Sequence, residues 1–276
     1  MVGREAPVNV GFIGMGNMGQ MLVTALARSG VVQPGTLYAS NRSGEKLKRI
    51  AAAVPGVRTV TNGELAQQCP TVFLCVKPGE TKAVLDEVAP YITHDHLLVS
   101  ITNTIEIATL EKSVRARVAK VIPSLLHAVD DGVSLLMFGE RCTDTDRVLL
   151  ERLMGAVSRP CVIAETQARV ASDLTSCGPA FLSYVLRAMA QAALHYQPDL
   201  PPDTVNAMIR RTAMATCRMM EQTNLTFDDV IARVSTPGGI TADGIKVLDE
   251  QLAGVWEQVI ETTMVKEEAK KAKVEL

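Results

Sequence analysis

Three glycines, Gly14, Gly16 and Gly19, follow the apolar run Val10–Ile13 without a gap and open an amphipathic stretch over 18–28. A strand that passes into a helix through G-x-G-x-x-G is tightly constrained. The first glycine permits the sharp turn, the second lets backbone come close to a ligand, and the third lets helix and strand pack closely. The helix then presents unpaired N–H groups and a partial positive charge over the turn. Gly14, Met15, Gly16, Asn17, Met18 and Gly19 are therefore expected to cradle the pyrophosphate of a dinucleotide. The spacing alone also fits a turn that binds nothing; the strand before it and the helix after it favour the ligand.

Further apolar runs at 37–39, 72–76, 97–101 and 118–122 alternate with amphipathic stretches such as 45–53 and 80–88. Strand and helix alternating at this spacing imply right-handed crossovers and a parallel sheet covered on both faces. Residues 132–138 could add an edge strand, and 144–157 read as a closing helix. After about residue 164 the strand signals stop. Residues 165–196 form a long helical stretch interrupted by Gly178-Pro179, where two helices are expected to meet because proline lacks a donor and collides with the preceding turn. Pro201 and Pro202 mark another helix start. Thr226 with Asp229 resembles a capping box. A last helix is expected from Thr241, with Ile245, Leu248, Leu252, Val255 and Val259 on one face. The fold expected is α/β: an N-terminal Rossmann-type doubly wound sheet (1–164) followed by an all-helical domain (165–276). A helical half of roughly 110 residues with one long apolar stripe is short of partners of its own. Burial against a second copy supplies them, so a homodimer through this half is expected.

The net charge of −2 and the lack of any long basic run argue against nucleic acid or an anionic membrane as partner. No apolar run approaches the roughly 20 residues that span a bilayer. Met1 to Val8 is too short and polar for a signal peptide, and the six cysteines form no C-x-x-C pair. A reduced, cytoplasmic protein is expected. His94 and His96 flank Asp95 but lack a third ligand at useful spacing, so a polar loop is preferred and no metal is expected. Cys177 reads as a small buried side chain in preference to a reactive thiol. His127 stands near the segments expected around a reaction pocket; one reading has it sense charge there, and the preferred one does not.

The end of the second strand selects the dinucleotide. A site for NAD usually places Asp or Glu there to hold the ribose 2′-hydroxyl. This chain has Ser40-Asn41-Arg42-Ser43 and no acid before Glu45. An arginine fork flanked by small donors suits a 2′-phosphate, so NADPH is expected over NADH. Far along the chain, Thr236-Pro237-Gly238-Gly239-Ile240 precedes the last expected helix. Pro-Gly-Gly can expose successive N–H groups to an anion such as a substrate carboxylate, with Thr241 as N-cap; it can equally be an ordinary turn between helices.

Gly11-Phe12-Ile13-Gly14 with its glycine turn, Val76-Lys77-Pro78, Gly178-Pro179-Ala180 and above all Thr236-Pro237-Gly238-Gly239-Ile240-Thr241 resemble the pyrroline-5-carboxylate reductase family, in order and over essentially the whole chain. The resemblance implies NADPH-dependent reduction of 1-pyrroline-5-carboxylate, a cyclic imino acid, to L-proline. It implies a carboxylate anchor at Thr236, Pro237, Gly238, Gly239 and Ile240, and a hydrogen bond from Thr241 to the ring nitrogen. By the same alignment Asn62 lies near the adenosine end of the cofactor. Val76, Lys77 and Pro78, with Ile101, Thr102 and Asn103, line its path toward the nicotinamide.

The chain also departs from the family pattern. Ile122-Pro123-Ser124-Leu125-Leu126-His127 stands where the family has Met-Pro-Asn-Thr-Pro, and Thr102-Asn103-Thr104 replaces Ala-Ala-Gly. Thr175-Ser176-Cys177-Gly178-Pro179 replaces Ser-Gly-Ser-Gly-Pro, and Ile240 replaces a threonine. This pattern resembles the late-competence, ComER-type branch. It implies a second possibility: an NADP-binding, reductase-like protein with altered substrate or lost turnover, regulatory in competence or sporulation. A 3-hydroxyacid dehydrogenase relative is disfavoured, because its class places a catalytic lysine on the helix after the boundary and 165–196 contains none.

Overall fold

The computed structural model describes residues 8–274. By packing, the chain forms two compact units. The first contains the residues up to Cys177 together with those from Thr263; the second is Gly178–Thr262. Residues 165–177 and the end of the last helix thus pack with the sheet, so division by packing falls later than the expected boundary at 164.

The first unit is built on β1 (Val10–Ile13), whose four residues are all buried and which passes through the glycine turn into α1 (Asn17–Ser29). Gly30 ends that helix at φ 74°, a left-handed conformation that costs glycine no Cβ clash. There follow β2 (Leu37–Ser40), α2 (Gly44–Ala53), β3 (Arg58–Thr59), α3 (Asn62–Gln68), β4 (Thr71–Leu74), α4 (Pro78–Val88), β5 (Leu97–Ser100), α5 (Ile107–Ser113), β6 (Arg117–Ile122), β7 (Val133–Phe138), α6 (Asp144–Gly155), β8 (Arg159–Val162) and α7 (Ala168–Ser172). The eight strands lie in the order β3-β2-β1-β4-β5-β6-β7-β8, and every pair is parallel except β6 with β7.

The chain leaves β1 toward β2 on one side and returns to β4 on the other. The loops after β1 and β4 therefore diverge and leave a crevice at their C-terminal ends. Alternation along the strands feeds two cores, one on each face. Phe12 stacks on Phe73 on one face, ring centroids 4.7 Å apart, and Ile13, Leu74 and Leu98 pack on the other. The antiparallel step has a simple cause. Only residues 123–132 separate β6 from β7, too few for a crossover of a dozen or more residues.

Two strands were not expected from the sequence. β3 is two exposed residues at one edge, and β8, Arg-Pro-Cys-Val, is exposed at the other, where proline is tolerated. Two expected helices are corrected. No clean break occurs at Gly178-Pro179. Instead a π-helical turn, Asp173–Cys177, leads directly into α8 (Gly178–Tyr196). The shifted hydrogen-bond register of such a turn accommodates a residue with no N–H to give. The last helix is in fact two, α11 (Ile240–Leu252) and α12 (Val255–Lys271), because Gly254 adopts φ 74° between them.

The second unit comprises α8, α9 (Pro202–Thr223), α10 (Phe227–Val234), α11 and the first part of α12. The Thr226–Asp229 capping box expected at the start of α10 is present. Within α8 and α9 only Ala190 and Val205 are buried, while Leu182, Met189, Met208 and Met214 are more than half exposed. No helix among the described residues is long and apolar enough to cross a membrane.

Candidate functional site: the crevice above β1 and β4

Gly14 has φ 105°, and a Cβ placed on it would sit 2.6 Å from the Cys75 carbonyl oxygen, so a side chain is excluded by both conformation and space. A Cβ on Gly19 would fall 2.0 Å from the Gly14 carbonyl oxygen, which fixes how closely α1 approaches the turn. Gly16 behaves differently. It is the N-cap of α1 without a side-chain cap, and a Cβ there would meet nothing within 4 Å among the described residues. Two glycines are therefore required by the protein's own packing. The third keeps space open beside a helix N-terminus, as close approach of a phosphate requires.

The turn is braced from β2. The Gly14 N–H donates to the Ser40 carbonyl (2.8 Å), and the Met15 N–H donates to Asn41 Oδ1 (3.0 Å). Ser40 Oγ donates to Asn62 Oδ1 (2.6 Å), and Asn62 Nδ2 donates to Glu87 Oε2 (2.6 Å), which fixes the orientation of the Asn62 amide. Above these residues lies a cavity of about 540 Å³. Gly14, Gly16, Asn41, Arg42, Ser43, Asn62, Val76 and Lys77 line it, so eight of the residues expected to hold cofactor are brought together. Lys46, Cys75, Glu80 and Glu87, which sequence reasoning missed, share the wall. The signal for Lys46 was its place in the first turn of the helix that follows Arg42 and Ser43, and for Glu80 and Glu87 their shared face of α4 seven residues apart. Glu80 pairs with Arg42. Burial pushes the Cys75 thiol up to about 12, so it is not a nucleophile at neutral pH.

Other expected residues stand elsewhere. Met15 is sealed in the core, so its part is played by backbone, and Ser40 is buried beneath Asn62. Gly19 is buried, Asn17 and Met18 lie in the first turn of α1, and Pro78 opens α4. None of these six lines the cavity, nor do Ile101, Thr102 and Asn103, which follow the neighbouring strand β5.

In the second unit, Gly239 N–H donates to the Thr236 carbonyl (2.9 Å) with Gly238 at φ 73°, the Pro-Gly pattern of a type II turn. The expected anion nest thus has one donor fewer. Gly239, not Thr241, is the N-cap of α11, because the turn places the first helical residue at Ile240. Thr241 is an exposed first-turn residue and Ile240 is 94% exposed. The N–H groups of Ile240 and Thr241 sit where helix geometry provides no internal acceptor.

A second set of polar groups in the first unit was not foreseen. Lys120, on β6 and 1% exposed, donates from Nζ to Glu165 Oε1 (2.8 Å) and to the Asn103 carbonyl (3.2 Å). Burial holds its ammonium below the usual lysine range, against the pull of Glu165. The Glu165 carboxylate also accepts the Ile107 N–H at the start of α5 (3.0 Å). His127 is fully buried and His96 spends both ring nitrogens on Thr93 N–H and the Ala66 carbonyl.

A doubly wound sheet with a dinucleotide crevice, followed by a helical unit rich in exposed apolar side chains, defines the class: an NAD(P)-dependent oxidoreductase of Rossmann type. Comparison with known proteins narrows it. The model described as "NADP oxidoreductase coenzyme F420-dependent" matches residues 9–104, and that described as "Pyrroline-5-carboxylate reductase dimerisation" matches residues 165–270. The chain is 32% identical to ComE operon protein 4 of Bacillus subtilis (strain 168), covering 95% of this chain and 96% of that protein. It is 31% identical to pyrroline-5-carboxylate reductase 3 of Bos taurus, over 87% of this chain and 78% of that one. A crystal structure of Plasmodium falciparum pyrroline carboxylate reductase with NADP bound shares its fold, with a TM-score of 0.84, 22% identity and coverage of 96% and 98%. The chain belongs to the pyrroline-5-carboxylate reductase family.

Proposed function

We propose that the protein reduces 1-pyrroline-5-carboxylate to L-proline with NADPH, as a cytoplasmic homodimer joined through its helical half. In this reading residues 1–164 hold the dinucleotide, and residues 165–276 dimerise and bind substrate. The observation that carries the proposal is the open N-terminus of α1 at Gly16, in a chain whose helical half matches the reductase dimerisation model. The exposed apolar side chains of α8 and α9 support a second copy as their cover.

The backbone of Gly14 to Gly19 receives the pyrophosphate. Arg42 receives the 2′-phosphate with Asn41 and Ser43 beside it, Ser40 bracing the wall from beneath through Asn62, and Lys46 adds a second cation on the same wall. Asn62 meets the adenosine end; Val76, Lys77 and Pro78, with Ile101, Thr102 and Asn103, border the nicotinamide half. The bound cofactor would supply the hydride. Thr236 to Ile240 anchor the substrate carboxylate, and the Thr241 hydroxyl hydrogen-bonds the ring nitrogen. A protonated imine asks little more than alignment.

The test is NADPH oxidation followed by absorbance with purified protein and pyrroline-5-carboxylate, beside Thr241→Ala. Turnover that falls in the variant supports the assignment; equal turnover removes Thr241 from its role. One observation favours a second reading: the likeness to ComE operon protein 4 coincides with altered segments at 102–104 and 122–127. Tight NADPH binding without turnover would select that reading, a reductase-like protein with another substrate or a regulatory role in competence or sporulation.

A further inference from the structure

Asn103 sits where two buried charge clusters meet. From below, Lys120 Nζ donates to its backbone carbonyl (3.2 Å), and Lys120 is itself held by Glu165, which caps the first N–H of α5. From the side, its Nδ2 donates to Glu267 Oε1 on α12 (2.7 Å). Glu267 is 7% exposed and faces Arg169 Nη1 (3.4 Å). Arg169 also donates to Asp173 Oδ1 (2.5 Å), whose other oxygen accepts the Thr263 hydroxyl (2.5 Å). All these groups belong to the first compact unit. The loop of 101–106 has no regular structure; the buried Ile105 side chain and the Ile101 N–H to the Leu74 carbonyl (3.3 Å) hold its two ends, and Asn103 ties its middle at two atoms to charged groups. The loop follows β5, which pairs with β4, so it stands beside the Val76–Lys77 segment at the C-terminal edge of the sheet.

We propose that Asn103 is a positioning residue: its amide, clamped by the Glu267 carboxylate of α12, presets the loop that borders the nicotinamide half of the bound dinucleotide. The inference rests on the cofactor path given under the proposed function. A preset loop adds affinity because ordering is not charged to the binding event. Glu267 is acceptor-only when ionised, so Asn103 must offer a donor; a carboxylate in its place brings a like charge against an acid whose side chain is 7% exposed.

The test exchanges donor and acceptor. Asn103→Asp, Glu267→Gln and the double variant are titrated with NADPH and binding is read from nucleotide fluorescence, with melting curves alongside. Asn103→Asp should bind NADPH roughly ten-fold more weakly, the size of one lost charge-assisted hydrogen bond. Glu267→Gln still accepts through its amide oxygen and should stay within about three-fold of the wild type. The double variant restores a reversed hydrogen bond and should recover most of the loss. A double variant no tighter than Asn103→Asp overturns the proposal, as does wild-type affinity in Asn103→Asp. Should Asn103→Asp fail to fold, Asn103→Ala takes its place; unchanged NADPH affinity in it also overturns the proposal. A wild-type protein that does not bind NADPH would bring down the cofactor reading and this one together. Wild-type binding with indifferent variants brings down this one alone.

Discussion

His127 lends itself to a quantitative acid test. Its ring accepts the Ser124 N–H at Nδ1 (3.2 Å), so the ring proton is on Nε2, which donates to Ser134 Oγ (2.6 Å). The Ser134 hydroxyl passes to Ser158 Oγ (2.6 Å), and Ser158 donates to the Met154 carbonyl (2.8 Å). The relay is complete with a neutral ring, and a proton added at Nδ1 would face a donor. Burial pushes the imidazole below its ordinary value of 6.5. Above 6.5 both folded and unfolded chains are neutral at this residue, and no stability depends on pH through it. As pH falls below 6.5 the unfolded chain takes up a proton that the folded one refuses. Stability is then lost at up to about 1.4 kcal/mol per pH unit until the folded value is passed. The assay is urea unfolding at fixed protein concentration, at about pH 7.5 and about pH 5.5, for the wild type and His127→Gln. The glutamine keeps a donor toward Ser134 without titrating in this range. The wild type should lose more stability on acidification than the variant, by no more than the one-proton slope allows. Equal losses would refute a neutral buried imidazole.

Gly19→Ala should destabilise the first unit by about 1–3 kcal/mol, since its new methyl meets backbone that can relieve the clash only by moving α1. Gly16→Ala should melt within about 3 °C of the wild type yet lose the thermal shift caused by NADPH, because its methyl enters only the ligand's space; a retained shift would refute that. Lys120→Met should cost about 3 kcal/mol by leaving Glu165 without its ammonium, and adding Glu165→Gln should recover part of the loss in urea titrations. Toward an aromatic disulfide reagent Cys161, exposed on β8, should react at once. Cys69 and Cys75, whose thiols burial pushes up to about 12, should react only on unfolding.

The doubly wound half was legible because a buried parallel strand reads as a largely apolar run, and β1, β2, β4 and β5 do, with β6 interrupted only by Lys120. β3 and β8 carry no such signal. They are exposed edges held by backbone pairing, and the proline in β8 argues against a strand unless its place at the edge is known. The helical half was harder at its joints. A proline after a glycine normally ends a helix, and nothing local distinguishes that ending from a π turn that carries the chain through. Gly254 is as easily read as a tolerated helix glycine until its φ is seen.

The site was legible where a residue's type constrains backbone and illegible where tertiary packing assigns the role. Gly14 and Gly19 are fixed by turn geometry, so their positions followed from spacing alone. Lys120 shows the opposite. In sequence it is one charge inside an apolar run; in the fold it is sealed and joins Glu165 and Asn103, residues 45 and 17 positions away. Its desolvation is tolerated only because a carboxylate and a carbonyl meet it together. The same reasoning separates the two kinds of change that set this chain apart from the family pattern. His127 is absorbed by a closed relay of serines and needs no ligand. Asn103, tied at both ends, has its environment fixed before any ligand arrives, which makes that loop the place where substitution should be read first in nucleotide affinity.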